Sequence, residues 1–210
     1  MKIERVVIVK KLMLAGLVLL ITLIPSFCVA EIRIEEFQKA QGVVYKYDDM
    51  TETLSVTPDF EVLDLMVDGK AIIQPIILTN DVGGKPVYLL TLYFVSVSEK
   101  SISPTSAIIK TDAHRYFVTP VAGSIDTTYT NGRYIDGMFY YCGDVGIKMI
   151  EDILASTNVK IRIDGTSDVD FDLSENQRTA LSDMYSAYKS AGCTEQELST
   201  YDLISPITIK

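Results

Sequence analysis

The chain has 210 residues, a hydrophobic content of 48% and a formal net charge of −9. Residues 1–30 hold four of its 19 basic and one of its 28 acidic side chains, so residues 31–210 carry a net charge of −12. This charge argues against a nucleic acid or an anionic membrane as partner, because both require a positive field on the protein.

The N-terminus has the three parts of a secretory signal. Four basic residues precede an apolar run at residues 12–24, and small residues follow at Cys28 and Ala30. The pattern predicts a signal peptide at residues 1–30, cleaved before Glu31, and a secreted or periplasmic bacterial protein with no membrane span after cleavage. The apolar run is short for a membrane span, although an uncleaved N-terminal anchor stays open as an alternative. Lipidation of Cys28 is disfavoured because the bulky Phe27 precedes it.

Two cysteines remain after cleavage, Cys142 and Cys193. An exported protein enters an oxidising compartment, where thiols pair. The sequence therefore predicts a Cys142–Cys193 disulfide, which would close a loop of about 50 residues and stabilise the fold by ~4 kcal/mol. A pair of buried thiols is the alternative.

The first half of the mature chain is typical of β-strands. Alternation predicts a strand pair at residues 42–47 and 53–56, followed by a short apolar stretch at residues 62–67. Stronger strand patterns at residues 71–79 and 87–97 flank a loop rich in turn-forming residues. Both faces of the second of these strands are apolar, so it should be central and covered on both sides. Its partner contains Pro75, which lacks a backbone donor and predicts an edge strand or a bulge.

Further short strands are predicted at residues 106–110, 115–120, 127–129 and 138–142, and the second half then changes period. A helix is predicted to open at a capping Asp144, with apolar residues at intervals of three and four. An alternating strand follows at residues 159–164. A second helix is predicted from the capping box of Ser174 and Gln177, and a short third helix from Thr194.

Strands followed by helices indicate an α+β fold rather than a parallel α/β fold. We expect one domain at residues 31–210, built on an antiparallel β-sheet of about 8–10 strands that is sandwich-like or barrel-like. Two helices in the C-terminal half should pack on this sheet. The stretch at residues 159–188 resembles parts of exported bacterial domains of unknown function, and this resemblance implies no activity.

Three alternating acids, Asp168, Asp170 and Asp172, are weak candidates for a calcium site because they share one face of an extended chain. The EF-hand spacing is not met, since Leu173 stands where a glycine is required. An exposed loop ahead of a helix N-terminus explains the same acids. The sequence predicts no bound metal and no cofactor.

An aromatic cluster gives the candidate binding residues. Exposed tyrosines offer a flat apolar face with a polar tip to a sugar or a peptide. The alternative is that these strand residues supply the core and its rim. The candidates are Tyr129, Tyr134, Tyr140 and Tyr141. Phe139 belongs to the same aromatic cluster.

No catalytic residues are predicted. His114 is the only histidine, and neither a nucleophile motif nor a metal motif accompanies it. The favoured hypothesis is a non-enzymatic exported domain that binds a ligand or a protein partner. The alternative is an extracytoplasmic hydrolase that uses two carboxylates, which a cleft holding two acids of raised pKa would favour.

Overall fold

The computed structural model of the protein describes residues 34–48, 53–60, 70–81, 86–120, 123–193 and 207–209. The signal peptide predicted at residues 1–30, the apolar stretch at residues 62–67 and the helix predicted from Thr194 lie outside the described residues. In the part that is described, no helix is both long and apolar enough to cross a membrane.

Eleven strands and three helices form within the described residues. The strands are β1 (Val43–Asp48), β2 (Thr53–Pro58), β3 (Ala71–Asp81), β4 (Pro86–Ser98), β5 (Ser106–Lys110), β6 (Arg115–Val118), β7 (Ile125–Thr130), β8 (Arg133–Tyr141), β9 (Lys160–Asp164), β10 (Val169–Asp172) and β11 (Ile207–Ile209). The helices are α1 (Ile34–Lys39), α2 (Asp144–Ala155) and α3 (Glu175–Ser190).

The described strands form two antiparallel sheets. Sheet A has the order β1-β2-β3-β4-β8-β7, and sheet B has the order β10-β9-β5-β6-β11. The helix α3 packs on β1, β2 and β3 of sheet A and contacts both other helices. The α+β fold with two long helices packed against antiparallel sheet is therefore confirmed.

The pair β3–β4 is the longest in the structure and lies in the middle of sheet A. Every side chain at residues 71–78 and 88–95 is buried, although successive residues of a strand point to opposite faces. On one face, Phe37 of α1 packs on Tyr88 with ring centroids 5.6 Å apart. The predicted central strand with two buried faces is thus confirmed as β4.

The prediction of an edge strand around Pro75 is wrong. β3 lies between β2 and β4, and its register with β4 runs without a bulge from Ala71 opposite Ser96 to Asp81 opposite Pro86. The ladder with β2 ends where Val56 lies opposite Ile77. Pro75 therefore lies beyond that ladder, where its missing donor removes no hydrogen bond to β2.

Sheet B has one buried and one exposed face. Ala107, Ile109 and Ile161 are buried, whereas the alternate residues of the same strands point to solvent. All of the buried apolar side chains of the two sheets and the helices belong to one hydrophobic cluster. The side chains on the exposed face of sheet B do not belong to that cluster. We call this face the open face.

The helix α2 begins one residue earlier than predicted, because its N-cap is Gly143 and not Asp144. Gly143 occupies the N-cap position and provides no side-chain hydrogen bond, while Asp144 is the first helical residue. The Asp144 carboxylate still lies in the first turn, where the helix dipole favours negative charge. The predicted apolar stripe, which includes Ile147, Ile150 and Ile153, is buried as expected.

The helix α3 begins at the predicted capping box. The amide of Gln177 donates to the Ser174 hydroxyl at 3.2 Å, and the amide of Ser174 donates to the Gln177 side chain at 3.1 Å. Arg178 then donates to the carbonyl of Ile153 at 2.7 Å, which places a positive charge at the C-terminus of α2. This hydrogen bond joins the two helices at a carbonyl of the last turn of α2, which also accepts from the Ser156 amide at 3.3 Å.

A buried carboxylate connects sheet A to the segment that leads into sheet B. Asp136 of β8 is 1% exposed. It accepts hydrogen bonds from the Ser101 hydroxyl at 2.8 Å, the Ile102 amide at 2.8 Å and the Thr127 hydroxyl at 2.7 Å. Burial of a charge is costly unless hydrogen bonds replace its water, and here three donors from two segments supply them.

We expect Asp136→Asn to lower the free energy of unfolding by about 2–3 kcal/mol, because an amide group cannot accept from all three donors and leaves a buried donor unpaired. Urea unfolding followed by circular dichroism measures this. Asp59→Asn is the matched control, since Asp59 is exposed and makes only a backbone hydrogen bond. Equal stability of the two variants would contradict the role assigned to Asp136.

Candidate functional site

Three cations lie side by side on the open face of sheet B. Lys110 of β5 lies directly opposite Arg115 of β6 and, on its other side, directly opposite Lys160 of β9. All three side chains are exposed. Since opposed residues have Cβ atoms about 5 Å apart, the three charges form a line about 10 Å long across the strands. We call Arg115, Lys110 and Lys160 the basic row.

The basic row borders a shallow depression with a volume of about 410 Å³. Strand β10 closes its other side and contributes acids, with Asp172 directly opposite Lys160. Apolar side chains contribute to its floor, Ile108 among them. The residues that line it are Ile108, Lys110, Arg115, Lys160, Ile161, Arg162, Asp170, Phe171 and Asp172.

Arg162, the next cation on the same face, is neutralised. Its guanidinium donates to both carboxylate oxygens of Asp170, at 2.6 and 2.7 Å, and lies 3.3 Å from Asp168. The hydrogen bond from Arg162 holds the pKa of Asp170 below its ordinary value. No carboxylate of a described residue forms an ion pair with the basic row. Asp172 lies directly opposite Lys160 without such a pair.

The structure places the three metal candidates on this face as well. Asp168 and Asp170 lie around Arg162, and Asp172 lies at the end of β10. Asp168 and Asp170 thus both pair with the guanidinium of Arg162. This pairing accounts for an acid at each of these two alternating positions. Among the described residues, no group of three or more potential ligand side chains is assembled in a way that could hold a metal ion.

His114 has a carboxylate partner that the sequence did not reveal. Its Nδ1 lies 2.5 Å from Oδ2 of Asp152 on α2, and the Tyr116 hydroxyl donates to the same oxygen. Partial burial acts to raise the pKa of Asp152, but the hydrogen bonds from Tyr116 and His114 outweigh it and the pKa is lowered. The group connects the start of β6 to α2.

A carboxylate on Nδ1 is the arrangement that orients a catalytic histidine, so the surroundings of His114 decide its role. The nearby Ser156 hydroxyl donates to the Asp152 carbonyl at 2.7 Å and accepts from the Asp112 amide at 3.1 Å. No described serine, threonine or cysteine side chain is hydrogen-bonded to the His114 ring. The geometry therefore supports a structural link between β6 and α2 rather than a nucleophile–base pair.

The aromatic candidates are divided between surface and core. Tyr129 is 62% exposed and Tyr134 is half-buried, with ring centroids 4.8 Å apart at the end of the β7–β8 hairpin. Tyr140 and Tyr141 are buried and, as neighbours in β8, point to opposite faces of sheet A. Tyr140 and Tyr141 therefore belong to the core and share no exposed surface with Tyr129 and Tyr134, which agrees with the alternative that these residues supply the core and its rim.

Two carboxyl groups have a raised pKa, as a carboxylate-dependent hydrolase requires, but they are not paired. Burial is the main cause of the raised pKa at Asp126 and at Asp183. Asp126 accepts from the Tyr93 hydroxyl on sheet A, whereas Asp183 lies on α3 beside Gly42. Asp126 and Asp136 also lie on opposite faces, because Asp126 is opposite Gly137 in the ladder.

Cys142 and Cys193 are both buried, and no bond joins their sulfurs in the structure. Burial raises the pKa of the Cys142 thiol, which disfavours the reactive thiolate form. The Cys142–Cys193 disulfide stays a prediction.

Sequence reasoning missed the basic row, although part of its signal is present. Alternation along residues 159–164 places Lys160 outward, and two consecutive strands place Lys110 and Arg115 at the ends of a hairpin. The order β9-β5-β6 brings the three cations together, and it joins strands about fifty residues apart in the chain. No local pattern encodes that pairing.

Comparison of the chain with models of protein families, with curated proteins and with solved structures gives no match. A function has to be inferred from the residues themselves.

We expect Lys110→Glu to raise the free energy of unfolding by about 0.5–1 kcal/mol at low salt, because two like-charge contacts become two opposite-charge contacts. The gain should shrink at high salt, since exposed charges are screened. Denaturant unfolding at both salt concentrations measures it. Lys46→Glu is the control: Lys46 is exposed and faces Ser55, so its substitution adds the same charge without these neighbours. An identical effect in both variants would contradict repulsion within the basic row.

Proposed function

We propose that this protein is an exported, non-enzymatic binding protein whose ligand or partner is anionic and binds at the basic row. The single observation that carries the proposal is the set of three adjacent cations that form no ion pair with a described acid. Directly opposed like charges destabilise a sheet. Residues that break such a rule without a structural gain are expected at functional sites.

The surrounding composition makes the basic row more distinctive. The mature chain carries 27 acids against 15 bases, so carboxylates to neutralise three lysine and arginine side chains are abundant. On the same face, two of them do so for Arg162. The basic row is left without such partners, which supports selection for an external anion.

The overall charge of −12 limits what the anion can be. At physiological salt, exposed charges more than about 8 Å apart are largely screened from each other, so the basic row can attract a small anionic group locally. A long polyanion would meet the acidic remainder of the surface. This favours a short ligand or a local segment of a partner and disfavours nucleic acid.

The binding test replaces all three cations. Isothermal titration calorimetry with two probes, tripolyphosphate and a blocked triglutamate peptide, should give an affinity that falls with salt. In Lys110→Gln/Arg115→Gln/Lys160→Gln, affinity should fall about tenfold or more, since three exposed charge contacts together contribute over 1.4 kcal/mol.

The matched control for this experiment is Lys46→Gln/Lys70→Gln/Lys100→Gln, which removes three exposed cations elsewhere on the surface. The control should bind both probes as wild type does. Equal losses of affinity in the two triple variants would mean that net charge alone governs binding. If wild type bound neither of the two probes, the proposal would be refuted.

Export is tested on the protein recovered from the compartment outside the cytoplasm. We expect intact mass spectrometry to give a chain that begins at Glu31, because Cys28 and Ala30 fit the small residues of a signal-peptidase site. A mass that retains residues 1–30 would establish an anchor instead. Alkylation of the same sample after denaturation without reductant tests the predicted disulfide, since two labelled cysteines would exclude it.

A further inference from the structure

We infer that the partner segment is a short acidic peptide with an apolar residue among its acids and a basic residue at one end. This inference rests on the proposed function and specifies its ligand. The peptide lies across β6, β5, β9 and β10, with its acids on the basic row and its basic residue on Asp172.

The first support is the order of charges across the four strands. Lys160 and Asp172 occupy opposed positions in the β9–β10 ladder. They form no ion pair with each other, although both line the depression. By contrast, both oxygens of Asp170 are engaged by Arg162. The line that a ligand meets therefore reads as three positive charges followed by one negative charge.

The second support is the extent of the site. β10 is at one edge of sheet B, so the line ends at Asp172 on that side, while β11 lies beyond β6 on the other side. A longer polyanion would continue past β9 over Asp168, Asp170 and Asp172, which all lie on this face. With a strand spacing of about 4.8 Å, the whole line is about 15 Å long. A peptide of five residues is long enough to span this distance, since a chain reaches at most about 3.3 Å per residue.

The third support is apolar. Ile108 lies two residues before Lys110 on the same face of β5 and is half-buried in the floor of the depression. It lies between Phe117 and Arg162 in the register of the sheet. An aliphatic surface beside three cations suits a peptide that carries both acidic and apolar side chains. Polyphosphate has no apolar group to place there.

The test compares two blocked pentapeptides by calorimetry on the mature protein. One has the sequence Glu-Glu-Val-Glu-Lys, and the other has glutamine in place of lysine. We expect wild type to prefer the lysine peptide by about threefold to tenfold, as one exposed ion pair is worth up to 1 kcal/mol or slightly more. Asp172→Asn should abolish the preference and leave the affinity for the glutamine peptide unchanged or higher.

Asp168→Asn is the matched control, because Asp168 lies on the same face but beside Arg162. It should keep the preference for the lysine peptide. Replacing valine by serine in the peptide should weaken binding to wild type, and Ile108→Ser should remove that difference. Thermal melting of each variant verifies that it is folded.

The outcomes separate this inference from the proposed function. If wild type binds the two pentapeptides equally and the triple variant loses both, the basic row binds anions but the charge order is irrelevant, and the inference is overturned. Tighter binding of tripolyphosphate than of either peptide would identify phosphate as the ligand chemistry and would also overturn it. If the triple variant binds every probe as wild type does, the proposed function itself fails.

Discussion

The structure depends on the burial of both faces of the β3–β4 pair. If only one face of such an apolar strand were buried, a row of large side chains would stay in water. The free-energy cost would be about 25 cal/mol for each Å² of exposed apolar area. The chain responds by packing helices against this pair: α1 reaches it through Phe37, and α3 lies along β1, β2 and β3. At α2, Gly146 leaves space for Tyr140, whose hydroxyl would lie 2.9 Å from any added Cβ atom.

Because sheet A provides this core, sheet B needs only one apolar face. Its inner side chains join the same hydrophobic cluster, and Asp136 fixes the connecting segment through three hydrogen bonds. Its outer face is thereby released from packing. On an acidic protein such a face would be expected to carry mainly acids or paired charges. It carries instead a basic row without ion pairs beside an arginine that Asp168 and Asp170 neutralise, and this contrast makes it the preferred candidate for binding.

The other polar group with apparent catalytic character is explained by the fold. His114 and Tyr116 both contact Asp152, and the hydroxyl of Ser156 is used between α2 and the β5–β6 turn. These contacts connect the helix to sheet B at the end of the sheet where the basic row begins. They can therefore set the position of Lys110 and Arg115 without contacting a ligand themselves.

The sequence alone determined the features that depend on neighbouring residues. Strand alternation, the capping box of Ser174 and Gln177, the buried stripe of α2 and the central position of β4 all follow from local periodicity or local hydrogen bonding. The tertiary structure alone decided which strands that are distant in the chain become neighbours. In the tertiary structure β5 lies between β6 and β9, and Pro75 lies beyond the ladder that β3 forms with β2. Two of the four candidate tyrosines lie in the core, and the Asp152 carboxylate contacts His114. The physical reason is that pairing between distant strands is set by the burial of the whole core, which no single segment of the sequence specifies.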